Sequence, residues 1–253
     1  MLKTERQRKI LDLITQRKHC TVKFLAETLF VSPITVRRDL DTLEGEGLVT
    51  RCYGGVSVPR HLNREVPLEV RENSNTGVKG ALARRAAGEL KNGDTVFLDA
   101  SSTALHIVDF VYPEQNLTFI TNSIRALIQL KDRHIRCYST GGMLLENSFA
   151  LVGSLAVEAV SKLNADIMFF STQGITEAGE ITDFSEAETQ LRKAMMKNAK
   201  KTVYMFDSSK LNKKYLFSVC RAQDTDKIIT DIKISNSCLI VFSPQTTQKV
   251  FFS

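Results

Sequence analysis

Seven short apolar runs set the strongest limit on how this chain can fold. Thr95–Asp99, Leu117–Thr121, Ile135–Tyr138, Asp166–Phe170, Thr202–Phe206, Lys227–Ile229 and Cys238–Phe242 have the length of strands, and several are apolar at successive rather than alternate positions. A strand that is apolar on both faces must be covered on both, which helix-connected parallel strands achieve. Helical periodicity falls where such connections are needed. It runs from Val78 through Leu82, Ala83, Ala86, Ala87 and Leu90 to an end near Asn92-Gly93, and recurs near residues 104–112, 124–130, 154–163 and 186–199. The expectation is a mostly parallel α/β domain over residues 76–253.

The first quarter reads differently. Thr4 and Gln7 have the spacing of a helix cap, and Ile10, Leu11, Leu13 and Ile14 form an apolar stripe behind them. After a polar break from Gln16 to Cys20, a second helix carries Val22, Leu25, Ala26 and Leu29, with Val31 at the turn. Ser32 offers a cap oxygen and Pro33 suits a first helical position, so a third helix should run to about Glu46. Gly45 and Gly47 end it. Leu48–Tyr53, Gly54-Gly55 and Val56–Val58 then read as a hairpin wing. The expected organisation is a winged helix-turn-helix over residues 1–58, a linker over 59–75 and the α/β domain over 76–253. Within the linker, Val66, Leu68 and Val70 are expected to form a small extended segment.

Charge follows the same division. The net charge is +6, and residues 1–64 hold 12 Lys or Arg against 7 Asp or Glu, so the basic excess is concentrated at the start. That suits a polyanionic partner for the first domain alone. The opening MLKTERQRKILDL is a poor secretory signal, and no run of about 18 apolar residues suggests a membrane span. Cys20, Cys52, Cys137, Cys220 and Cys238 are scattered, without metal-ligand spacing. A reduced cytoplasm, with no metal and no cofactor, is the expectation.

In the third helix Val36, Leu40 and Leu43 share one face, and Ile34, Arg38, Asp41 and Thr42 fall opposite, with Thr35 and Arg37 on the flanks. Ile34 is either a stray surface residue or a contact for a thymine methyl group in the major groove. Arg37 and Arg38 suit phosphate or guanine edges, although adjacent arginines are also common on solvated surfaces. Arg51 sits where a wing meets the DNA backbone or minor groove, or else water.

In parallel sheets, ligands bind beyond the carboxyl ends of the strands. Three polar clusters fall there: Asp99-Ala100-Ser101-Ser102-Thr103, Thr121-Asn122-Ser123 and Ser139-Thr140-Gly141-Gly142. Each is a helix cap or an anion site by its composition, and their convergence favours the second. Lys210, in Asp207-Ser208-Ser209-Lys210, and Lys79 could complete an anion pocket or lie in solvent. Ser185 and Glu188 have capping-box spacing, which points Glu188 to a helix start rather than to chemistry.

The run from Val31 to Glu44, with Ser32, Thr35-Val36-Arg37-Arg38-Asp39-Leu40, then Gly47–Arg51 and Tyr53-Gly54-Gly55-Val56, resembles the signature of the DeoR family of bacterial transcriptional regulators. The resemblance implies that Thr35, Arg37 and Arg38 contact operator DNA, that Asp39 orients an arginine or caps local structure, and that the glycine pair closes the wing. It extends to Gly153, Asp166, Gly174-Ile175, Ala194-Met195 and Ile229-Thr230-Asp231, and so covers almost the whole chain. The second domain is accordingly similar to ribose-5-phosphate isomerase and the CoA-transferase fold. It implies a phosphorylated-sugar effector held by Asp99, Ser101, Ser102 and Thr103, with Asn122, Gly141, Gly142 and Lys210 nearby. Two departures bear on the effector. Ser101 stands where the family has glycine, which would narrow the pocket or add a hydroxyl contact. Glu180 and Asp183 add negative charge where the family has a Gly-Leu-Thr-Thr type of segment.

The resemblance implies a regulator rather than an enzyme, a repressor of a carbohydrate-catabolism operon released from its operator by a phosphorylated sugar, and a dimer or tetramer is expected. An activator of the same class is the alternative, with an isomerase-like enzyme behind it. Isomerisation needs a positioned carboxylate, for which Asp99 and Asp183 are available without a spacing that demonstrates the arrangement. His19, His61, His106 and His134 form no nearby pair.

Overall fold

A computed structural model describes residues 3–17, 19–45, 49–52, 54–57, 66–232 and 250–252. The chain forms two compact units, Met1–Val66 and Pro67–Ser253.

The first unit holds α1 (Lys3–Arg17), β1 (His19–Cys20), α2 (Val22–Leu29), α3 (Pro33–Gly45), β2 (Thr50–Cys52) and β3 (Gly55–Ser57). Its core joins Ile10 and Ile14 of α1, Leu25 and Leu29 of α2, and Val36, Leu40 and Leu43 of α3. Two expectations are corrected here. Helix α1 already contains Thr4, so the Thr4–Gln7 spacing does not mark its cap. The polar break is also shorter than expected, because α1 continues to Arg17 and His19–Cys20 pairs with β3. The wing therefore has three strands in the order β1-β3-β2. Its two glycines have separate tasks. Gly54 has φ +87°, a left-handed turn, while a Cβ on Gly55 would lie 2.3 Å from the Cys20 carbonyl oxygen. Glu46, Gly47, Leu48, Tyr53 and Val58 of the expected helix end and hairpin, residues 59–65 of the expected linker, and the expected strand Cys238–Phe242 lie outside the described residues.

The second unit begins with α4 (Leu68–Asn73), which is helical where an extended segment is expected. Pro67 leads into it and Leu68 is buried, so this turn is fixed by packing at its first residue. There follow α5 (Thr76–Ala87), β4 (Thr95–Leu98), α6 (Ser102–Leu105) with a 3₁₀ run over His106–Phe110, β5 (Thr118–Thr121), α7 (Ile124–Asp132) and β6 (Arg136–Ser139). A hairpin of β7 (Met143–Leu145) and β8 (Ala150–Val152) leads to α8 (Ser154–Ser161) and β9 (Ile167–Phe170). The remaining elements are β10 (Gly174–Ile175), β11 (Glu180–Asp183), α9 (Glu186–Lys197), β12 (Thr202–Phe206), β13 (Phe217–Arg221), β14 (Lys227–Thr230) and β15 (Val250–Phe252).

Seven strands form one sheet in the order β15-β14-β12-β9-β4-β5-β6, and every pairing is parallel. On one face Val96, Leu98, Phe119, Phe169, Val203 and Met205 pack against Leu82, Ala83 and Ala86 of α5 and Ala126 and Leu130 of α7. On the other, Phe97, Ile120, Met168, Phe170, Tyr204 and Phe206 meet Val160 of α8, Leu191 and Met195 of α9, and Ile181 and Val219. The consecutive apolar residues in these strands are thereby accounted for. A smaller antiparallel sheet, β10-β11-β13, lies on the second face and has no counterpart in the sequence expectation.

The order fixes where a ligand can sit. From β4 the chain lays β5 and β6 to one side, then returns to add β9, β12, β14 and β15 to the other. The reversal opens a crevice between the carboxyl ends of β4 and β9.

Candidate functional site

The outward face of α3 is exposed and carries the residues expected from the sequence. Ser32 Oγ accepts the Thr35 N–H at 3.1 Å and lies 2.9 Å from Thr35 Oγ1, so the cap fixes both hydroxyls at the helix start. Ile34 is 62% exposed, and Arg37 and Arg38 are exposed beside it. Asp39 points the other way. It is buried and takes both arms of Arg6, with Nε to Oδ2 at 2.5 Å and Nη2 to Oδ1 at 3.1 Å, which ties α3 to α1. Hydrogen bonding to Asp39 holds the Arg6 guanidinium above its usual range.

Arg51 is committed within the unit. Its guanidinium binds Asp41, donates to the Arg37 carbonyl at 3.0 Å and lies 3.4 Å from Glu44, while its own N–H donates to Glu44 at 3.1 Å. Arg51 thus straps β2 to α3.

In the second unit the crevice at the strand reversal is a cavity lined by Ser101, Ser102 and Thr103 after β4, Ser171, Thr172 and Gln173 after β9, Asp183, Glu188, Arg192, Lys210 and Arg71. Of the three polar clusters expected from sequence, only the first reaches it. Asn122 donates Nδ2 to the Leu151 carbonyl at 3.2 Å, and Ser123 caps α7 by accepting the Ala126 N–H. Gly142 has φ +110°, and a Cβ there would lie 2.3 Å from the Val152 carbonyl oxygen, so it serves the β7–β8 hairpin. Asn122, Gly141 and Gly142 do not line the cavity.

The walls are held by one buried guanidinium. Arg192 Nε donates to Asp99 at 2.9 Å, Nη1 to Asp183 at 3.2 Å, and Nη2 stands 3.7 Å from Glu188. All four side chains are at least nine-tenths buried. Burial raises the Asp99 carboxyl above its ordinary range against the pull of Arg192. Asp99 also accepts Ser101 N–H at 3.1 Å and Ser101 O–H at 2.5 Å. It organises the loop, and both Asp99 and Asp183 are engaged by Arg192. The extra negative charge of the Gly179–Asp183 segment is likewise neutralised locally, because Glu180 pairs with Lys214 at 2.7 Å. Ser185 does cap α9, accepting the Glu188 N–H at 3.2 Å, while the Glu188 carboxylate faces Arg192.

Ser101 does not occupy a position that demands glycine. Its φ is −75°, and its hydroxyl both donates to Asp99 and accepts the Ala104 N–H, which starts α6 two residues earlier than the expected helix.

Cations gather at the same end. Lys79 is buried rather than solvated, and its Nζ donates to Ser102 Oγ at 3.0 Å and to the Arg71 carbonyl. Burial, reinforced by nearby Lys210, lowers Lys79 to about 8. Burial lowers Lys210 to about 8 as well, with Arg71 and Lys213 adding to the effect and Asp207 opposing it. Burial works against the Asp207 carboxylate, yet Lys210 and Ser209 hold it below the usual range. Among the described residues, the buried Ser171 hydroxyl has no hydrogen-bond partner. A buried hydroxyl that lines a cavity is open to a water molecule or a polar ligand atom.

Arg71, Ser171–Gln173 and Arg192 are absent from the sequence expectation. A signal existed for Arg192, a charged residue sharing a helix face with Glu188 and the core residue Met195.

A three-helix head with a wing, followed by an α/β unit with a small polar cavity at its strand reversal, is the build of a DNA-binding transcription regulator. Residues 6–61 match the DeoR-like helix-turn-helix domain and residues 74–232 the DeoR C-terminal sensor domain. The chain belongs to the DeoR family. It is 35% identical to the HTH-type transcriptional regulator GolR of Listeria innocua, over 94% of each chain. It is 32% identical to the HTH-type transcriptional regulator GlpR of Haloferax volcanii, over 91% of each. With the glycerol-3-phosphate regulon repressor of Escherichia coli it shares 26% identity, over 91% of this chain and 92% of the repressor. Among solved structures, ribose 5-phosphate isomerase A from Methanocaldococcus jannaschii overlaps 55% of each chain at 20% identity and a TM-score of 0.41, too distant to bear on function. Among the described residues no helix is long and apolar enough to cross a membrane.

Proposed function

We propose that this regulator represses a carbohydrate-catabolism operon and leaves its operator when a phosphorylated sugar fills the crevice between β4 and β9. The observation that carries the reading is the cavity at the strand reversal, where hydroxyls of Ser102, Thr103 and the unpartnered Ser171 meet Lys210, with Lys79 bonded to Ser102 behind them. Hydroxyls suit a polyol, and ammonium groups suit its phosphate. The repressor name of the Escherichia coli relative, which refers to a three-carbon phosphate ester, is consistent with this chemistry.

In the same reading Arg37 and Arg38 meet phosphates and base edges, Ile34 meets a thymine methyl group, and Ser32 and Thr35 set the start of the helix. Arg51 acts by fixing the wing against α3. Paired heads of a dimer or tetramer engage repeated half-sites, which raises effective affinity. The ligand acts by binding one arrangement of the assembly more tightly than the other.

The test is operator release. A DNA fragment captured by the protein is titrated in a mobility-shift assay with sn-glycerol 3-phosphate, D-fructose 1-phosphate and D-ribose 5-phosphate. At least one should release the wild-type protein, and Lys210→Ala should move its midpoint upward by about 10-fold or more, a charge-assisted hydrogen bond being worth ~1.5–3 kcal/mol. If no phosphate ester alters operator affinity, the proposed effector class is wrong.

A further inference from the structure

We propose that Arg71 of α4 is the contact through which an anionic ligand in the crevice drives operator release, with α4 as the moving part. This rests on the crevice being the effector site.

Three observations meet at this helix. Its place in the chain is the first, since α4 is the first helix after the boundary between Val66 and Pro67 and therefore lies on the covalent path from the second unit to the first. Arg71, in addition, lines the cavity together with Ser101–Thr103, Ser171 and Lys210, so a ligand phosphate there lies within reach of a cation carried by α4. The backbone is engaged as well. Lys79 Nζ reaches the Arg71 carbonyl with one hydrogen and the Ser102 hydroxyl with another, so one ammonium group links α4 to the wall of the cavity.

Other attachments of α4 can be named at its two ends and on its outer side. Leu68 is buried, and its N–H donates to the Asn147 carbonyl at 2.6 Å. On the outer side Arg125 lies 3.4 Å from Glu69 and 3.9 Å from Glu72. The exposed Arg125–Glu69 pair is worth ~0–1 kcal/mol, less than a charge-assisted bond between a guanidinium and a phosphate, while Glu72 is partly buried. An arriving phosphate can therefore redirect the Arg71 end of a six-residue helix without breaking any element of the main sheet. A ligand shifts such an equilibrium only by its differential affinity for the two positions, and Arg71 supplies that difference.

The experiment compares full-length wild type with Arg71→Ala, Arg71→Lys and Lys79→Met. The probes are the same three phosphate esters, with inorganic phosphate as a fourth. Ligand binding is measured by calorimetry without DNA, and operator affinity by fluorescence anisotropy with and without saturating ligand. Each variant is scored by the ratio of its own two operator affinities. In wild type the ratio should fall in the range of roughly 5–150-fold typical of coupled sites, and in Arg71→Ala it should fall to about 2-fold or less even at saturation. Arg71→Lys, which keeps the charge, should recover part of the ratio, and Lys79→Met should lose it as Arg71→Ala does. Full release of Arg71→Ala at saturating ligand would reduce Arg71 to a binding contact and overturn the proposal, while leaving the effector reading intact. A wild-type protein that binds none of the probes and is released by none would overturn both.

Discussion

Arg38 lies on the outward side of α3 and is exposed, so its five donors are directed away from the protein. Arg38→Ala should cost ~1–3 kcal/mol of specific operator binding, about 5-fold to 150-fold, with the sensor unit intact. A footprinting titration that returns unchanged specific affinity would remove Arg38 from the interface. In the second unit, the two lysines near the crevice give a pH signature. Lys79 and Lys210 both lie at about 8, and their charged forms are the ones that attract an anion. Ligand affinity should be full below about pH 8 and decline as pH rises through it, and binding near pH 8 should take up protons. Below about pH 6 the phosphate ester loses its second charge, so the optimum lies between. Calorimetry in buffers of different ionisation enthalpy reads the proton uptake directly; a profile flat to about pH 9.5 would exclude the lysines. At this scale the sequence was legible wherever a residue answers to its own helix, as with Ser32, Val36 and Arg38. It was not legible for Lys79, whose burial depends on α4 and α6 closing around it.

Among the elements, α9 does most to shape the crevice, because it carries Arg192 into a group of three carboxylates. Arg192→Met would leave Asp99, Asp183 and Glu188 buried without their cation, a loss of ~3–5 kcal/mol. In a unit of this size that corresponds to a fall in melting temperature of roughly 6–20 °C. The defect should be greatest at neutral pH and milder in acid, where the stranded carboxylates protonate. Thermal unfolding followed by circular dichroism at both pH values checks the size and the sign. The parallel strands were evident in advance because their side chains are apolar on both faces. The short antiparallel sheet was not, since β10, β11 and β13 span only two to five residues each and mix polar with apolar positions. The turn of α4 was misread for a related reason: Val66, Leu68 and Val70 alternate like a strand, yet only Leu68 is buried, and local hydrogen bonds from Val70 and Arg71 back to Pro67 close a helical turn.

For the whole molecule, the concentration of positive charge in residues 1–64 separates the DNA-binding task from the sensing task. If heads act in pairs, light scattering should find a dimer or tetramer at the concentrations at which the operator is bound, and half-sites should lie about one helical turn or a multiple of it apart. A monomer that protects a single half-site with full affinity would contradict the paired arrangement. Topology explains most of what could not be read from the chain alone. Strand order is a property of pairing, and only once β9 is seen beside β4 do Ser171–Gln173 join Ser101–Thr103 in one crevice.

The guanidinium of Arg192 works like a keystone, joining Asp99 after β4 and Asp183 at the end of β11 to α9, where Glu188 also faces it. Its consequence is one rigid wall: the cost of gathering three carboxylates around a single cation is met during folding rather than on binding. Room for a guest of sugar size must then come from the opposite side of the cavity, where the short helix at its rim carries Arg71.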